Sequence, residues 1–97
     1  MLVHDPLVEK IRTQIEQWNA EIDRFQVQAR QAVADVKIEY EEHVANLKGR
    51  RDALQERLVA LQEAEDETRK ELQEKAERAL VGLKEALARA RSRFSVH

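Results

Sequence analysis

Large apolar residues return every three or four positions along most of this 97-residue chain. From Val8 the run continues through Ile11, Ile15, Trp18, Ile22, Phe25, Ala29, Ala32 and Val36, a spacing that keeps one stripe on one face of a helix. Asp5-Pro6 is a good start for it. Asp5 can accept from the unpaired amides of a first turn, and Pro6 at the first helical position lacks only a donor the helix does not use. The pattern predicts one amphipathic helix over about residues 6–47. Its register slips by one position through Val36, Tyr40, Val44 and Leu47, which locally unwinds a supercoil. A second helical stretch over about 52–94 opens with Leu54, Leu58 and Leu61 and resumes with Leu72, Ala76, Leu80, Leu83, Leu87, Ala90 and Phe94.

Two places interrupt the rhythm. In "NLKGRRDAL", Gly49 can sit just past a helix end in a left-handed conformation, with Asp52 and Gln55 forming a capping box for the next helix. Alternatively Gly49 is tolerated mid-helix at a cost of about 1 kcal/mol relative to Ala. A reversal there would set Trp18 opposite Leu80, Ile22 opposite Ala76, Ile15 opposite Leu83 and Ile11 opposite Leu87.

The second interruption is "LVALQEAEDETRKEL", where nothing between Leu61 and Leu72 is apolar and larger than Ala64. Thr68 and Glu71 read as a capping box before Leu72. The pairs Glu65 with Arg69, Asp66 with Lys70, Glu71 with Lys75 and Glu74 with Arg78 instead support an unbroken helix, at about 0.2–0.5 kcal/mol each. Residues 62–71 are therefore a weakly held segment, a hinge or a solvated bridge. The expected fold is all-α and elongated, one coiled-coil unit over 1–97: either an antiparallel helical hairpin reversing near Gly49, or a long helix with a hinge near 64–68.

Composition agrees with long helices. Charged residues make up 37% and hydrophobic ones 42%, with two Gly and one Pro, so disorder is disfavoured by the recurrence of Leu, Ile and Val at helical period. The net charge of -2 gives no basic face for phosphates, and no nucleic-acid partner is expected. Locally, residues 63–77 carry seven acids against three bases, and residues 78–97 five bases against Glu85 alone. With no cysteine, disulfides and thiolate metal sites are excluded. "MLVHDPLVEK" lacks the basic start and apolar core of a signal peptide, and no apolar run approaches the roughly 20 residues that span a bilayer, so a soluble cytoplasmic protein is expected.

Candidate chemistry is sparse. Glu39 and His43 have the spacing to share a metal on one helical face, but the second carboxylate-histidine copy of a di-metal bundle is missing. Trp18 and Phe25 fall on the seam with Ile15 and Ile22, which favours core packing over ligand stacking. Ser92 and Ser95 have no base or orienting acid beside them. No enzyme and no cofactor are expected. In "ALVGLKEALARARSRF" the apolar face of Leu80, Leu83, Leu87, Ala90 and Phe94 is surrounded by Lys84, Arg89, Arg91 and Arg93, as in helices that lie on anionic membranes. The same cations would also complement the dipole of a helix C-terminus, and the same apolar face would serve as a coil seam.

The stretch from Ile15 to Ala64, followed by "LKEALARARSRF", resembles the small bacterial coiled-coil proteins of a stress-response family. The shared features are Trp18, Ala20, Glu21, Ile22 and Asp23, an Ala-rich middle leading to Tyr40-Glu41, and a basic amphipathic end closing on Phe94. The chain departs from that pattern at Ala64–Thr68, where members tend to carry a Ser-Gly-Asp-Ala-Trp-like break, and in having Gly49, which shifts weight to a turn there. The resemblance implies association with stress and self-assembly, and no enzymatic activity.

The expected function is thus helix–helix association through a seam of Ile11, Ile15, Trp18, Ile22, Phe25, Val36, Tyr40, Leu47, Leu54, Leu58, Leu61, Leu72, Leu80, Leu83, Leu87 and Phe94. The partner is the chain itself, in a homo-oligomer, or another coiled-coil protein. The alternative is a peripheral protein binding an anionic membrane surface through residues 78–94.

Overall fold

Asp5 does cap the first helix: its Oδ1 accepts from the Leu7 N–H at 2.9 Å, and Pro6 occupies the first turn. In the computed structural model, which describes residues 5–94, this helix, α1 (Pro6–Gln31), is followed by α2 (Ala34–Glu63) and α3 (Asp66–Phe94). The described residues contain no strand, and the molecule is elongated, measuring 52 × 18 × 16 Å. Its radius of gyration of 15.6 Å exceeds the ~12.5 Å typical of a compact domain of this length.

The helices number three because the chain reverses twice, at residues 32–33 and 64–65. Both turns use the same device. Ala32 (φ -68, ψ 148) and Val33 (φ -67, ψ 156) are extended, as is Ala64 (φ -69, ψ 141). In each case the amide of the alanine donates to the carbonyl three residues back, Ala29 at 3.4 Å and Leu61 at 3.3 Å. The following residue then offers its carbonyl to two amides of the next helix: Val33 to Val36 and Lys37, and Glu65 to Thr68 and Arg69. Two residues of extended backbone are enough to break the helical ladder at ordinary dihedral angles.

Several expectations are corrected here. The helix expected over 6–47 is divided at 32–33, and the stretch expected over 52–94 at 64–65. Gly49 ends nothing. It lies inside α2, no glycine has positive φ, and Asp52 is a mid-helix residue that accepts from Arg51 rather than capping a helix. The weak segment near 64–68 is a reversal, not a hinge in a continuous rod. Thr68 does not form a capping box with Glu71, because its hydroxyl donates to the Glu65 carbonyl at 3.3 Å.

Cross-helix contacts fix the directions. Arg51 reaches Asn19 and Lys48 reaches Gln26, so α1 and α2 run antiparallel. Arg93 meets Tyr40 and Arg50 lies beside Gly82, so α2 and α3 are antiparallel too. Asp5 pairs with Arg69 and Glu21 with Arg91, which makes α1 and α3 parallel. The expected facing of Trp18 with Leu80 and Ile11 with Leu87 in opposite directions is therefore not the one that forms. α2 packs along both neighbours, whereas α1 and α3 meet little.

The three stripes converge on one core that contains no buried polar or charged group among the described residues. Apolar burial at about 25 cal/mol per Å² drives the assembly, and the interlocking of the core side chains sets how the helices lie along one another. Polar contacts then tie the edges of the bundle, where Lys48 Nζ donates to Gln26 Oε1 at 2.6 Å and Arg69 Nη1 meets Asp5 Oδ2 at 2.6 Å.

Candidate interaction surface

The seam residues come together, but inside one chain. Ile11, Ile15, Trp18, Ile22, Phe25, Leu47, Leu54, Leu58, Leu61, Leu80, Leu83, Leu87 and Phe94 are buried, Tyr40 and Leu72 are half-buried against them, and Val36 is half-buried. The apolar stripes thus face each other within the bundle, and an interaction surface has to be sought elsewhere on the molecule.

The far end of α3 is fastened by aromatic packing. The Phe94 ring centroid lies 4.5 Å from that of Phe25 on α1 and 4.3 Å from that of Tyr40 on α2, with His43 edge-on at 6.4 Å. The Tyr40 hydroxyl donates to the Arg93 carbonyl at 3.5 Å, and the Arg93 guanidinium pairs with Glu39. The hydrogen bond from the Arg93 guanidinium holds the Glu39 carboxyl below the usual glutamate range and raises the pKa of Arg93. Glu39 is an ion-pair partner of α3, with His43 Nε2 4.0 Å away, and the described residues include no group of three metal-binding side chains.

Of the four cations set around the α3 apolar face, Arg91 donates to both Glu21 oxygens, at 2.5 and 2.7 Å, which raises its own pKa. Arg93 holds Glu39, while Lys84 and Arg89 are exposed. The apolar face between them is packed into the core, so in the folded bundle it is not presented to a membrane. No described helix is long and apolar enough to cross a bilayer. Ser92 is exposed, and Ser95 lies outside the described residues.

Two surfaces that the apolar pattern did not reveal stand out in three dimensions. The first is the outward side of α2, opposite its buried stripe. Asp35, Glu41, Glu42, Asp52, Glu56 and Glu63 are all exposed there, together with Ile38 (69% exposed) and Val59 (51%). Three of the five bases of α2 lie to its flanks: Lys48 and Arg51 toward α1, Arg50 toward α3. The outward side thus collects six acids of the helix, with Ile38 and Val59 among them.

The second surface is the groove between α1 and α3, the two helices that meet least. Near its aromatic end it opens into a depression of about 740 Å³ lined by Glu21, Arg24, Phe25, Val27, Gln28, Arg91 and Phe94. Its floor is aromatic, and helical spacing carries its edges on through Lys10, Gln14 and Gln17 on α1 and Glu77 and Lys84 on α3. The sequence signal that could have exposed both surfaces was the position of charges relative to the stripe, once each helix's neighbours were known.

No protein-family model, curated protein or solved structure matches the chain. The reading of its function rests on the surface itself.

Proposed function

We propose that this chain is a non-catalytic helical interaction protein that associates with copies of itself. The observation that supports this is the presence of large apolar side chains on the outward side of every helix: Val27 (48% exposed), Ile38, Val59 and Val81 (51%). The core is already filled from within the chain, and these groups keep about half or more of their area outside it, area that a second copy would cover. The stress-response role and the bacterial source are supported by the sequence resemblance alone. Light scattering across a range of protein concentrations tests the reading: a mass rising above 11.3 kDa is expected, and a constant monomer mass overturns it.

A peripheral membrane protein acting through residues 78–94 is the second reading, supported by the exposed Lys84 and Arg89. It requires α3 to leave the bundle and present Leu80, Leu83 and Leu87 to lipid. Co-sedimentation with anionic vesicles, accompanied by loss of the packed core, would favour it.

A further inference from the structure

We infer that one copy seats the outward side of its α2 in the α1–α3 groove of the next copy. This rests on the self-association reading and specifies its geometry. Charge is the first reason. The outward side of α2 is acidic, and Glu42 and Glu56 form no ion pair among the described residues. The edges of the groove carry Lys10, Arg24 and Lys84, which likewise form none, against Glu77, while Glu21 and Arg91 in its lining pair with each other. A negative ridge and a positive groove on opposite sides of one molecule are complementary to each other, and each repels its own kind.

Shape is the second reason. A groove between two parallel helices is the place where a third can lie, and α2, at 30 residues and about 45 Å, matches the length of the 26-residue α1, about 39 Å. Apolar groups lie on both sides of the contact, the exposed Ile38 and Val59 on the ridge and the exposed Val27 in the groove, above the buried rings of Phe25 and Phe94. Gly49 and its neighbours Ala45 and Ala53 give the middle of the ridge a low profile, and a Cβ at Gly49 would meet nothing within 4 Å in its own chain. Because ridge and groove are different surfaces, the contact is heterologous, and it propagates into a ring or a filament instead of closing as a two-fold dimer.

Two charge-reversed forms of the full chain test this, one on the ridge (Glu42→Lys with Glu56→Lys) and one in the groove (Arg24→Glu with Lys84→Glu). All four side chains are exposed, so circular dichroism and melting should stay close to wild type; Glu42→Gln with Glu56→Gln, which adds no repulsion, serves as a second ridge variant. By light scattering, each reversed form alone should require at least about tenfold more protein to associate than wild type, and an equimolar mixture of the two should recover association. The neutral ridge variant should fall between. If wild type associates and either reversed form associates equally well, or if the mixture stays monomeric, this geometry is wrong while self-association stands. In particular, loss confined to the ridge variant would indicate a contact between two α2 helices. A wild type that stays monomeric overturns both.

Discussion

Arg69 at the start of α3 places its Nη1 2.6 Å from Asp5 Oδ2, while the other Asp5 oxygen caps α1. One carboxylate, only 10% exposed, therefore starts one helix and ties it to another across 64 positions of chain. Arg69 was expected to pair with Glu65 one turn away, but the reversal at 64–65 puts Glu65 outside the helix and leaves Arg69 to face α1. Asp5→Ala should cost about 1–3 kcal/mol by denaturant unfolding, through the lost cap and the lost pair. Asp5→Asn, which retains a capping oxygen, should cost less. Equal losses would show that the ion pair dominates.

Trp18 is buried on α1 in the middle of the core. Trp18→Ala should cost about 3–5 kcal/mol, a large share of the roughly 5–15 kcal/mol that stabilises an ordinary domain. An unchanged melting midpoint would show that the indole is not part of the packing.

The two glycines should respond differently to alanine. At Gly49 the backbone is helical and a Cβ enters open space, so Gly49→Ala should stabilise the monomer by about 0.5–1 kcal/mol. At Gly82 a Cβ would stand 3.2 Å from Arg50 Nη1, which must shift, so the gain there should be smaller. Thermal melts at low concentration decide. A destabilised Gly49→Ala would contradict the mid-helix geometry.

Stability should fall with acid in part through Glu39. Arg93 lowers the Glu39 pKa in the folded state, so the pair's contribution is present above the ordinary glutamate value of about 4.3 and is lost as pH falls through the lowered one. The melting difference between wild type and Glu39→Gln should be constant near neutrality and close in acid. Because the pair is at the surface, that difference should also shrink in high salt.

Amide exchange should report the two turns as the weakest points of the described chain. Residues 32–36 and 64–68 should exchange faster than 54–61 and 76–87, where apolar contacts are dense. Uniform protection through 32–36 would contradict the first reversal.

The apolar stripe was legible because burial along a helix has a fixed period: Ile11 through Phe25, Leu54 through Leu61 and Leu80 through Leu87 all end in the core. The first reversal was not, because Ala32 and Val33 adopt dihedral angles open to any residue and need no glycine or proline to do so. Only the one-position slip at Val36 marked it. Gly49 drew the turn instead, since glycine is the strongest local punctuation in a helical sequence. The second reversal left a trace in the missing apolar residues after Leu61, which read as a hinge or solvated bridge because i to i+4 pairing supported a continuous helix. Of those four pairs, Glu71–Lys75 forms at 3.3 Å, whereas Arg69 goes to Asp5.

The sequence by itself determined that the chain is helical, where α1 begins and which residues are buried, because capping, propensity and the three-to-four spacing act within a few residues of chain. Tertiary structure decided how many helices there are, their directions and the pairing of their charges. Those depend on which stripe a buried face meets and on how the side chains of the core interlock, and pairs such as Asp5–Arg69 form at the edges once the helices lie together. The acidic ridge and the basic groove are products of that packing: a charge has a side only once its helix has neighbours.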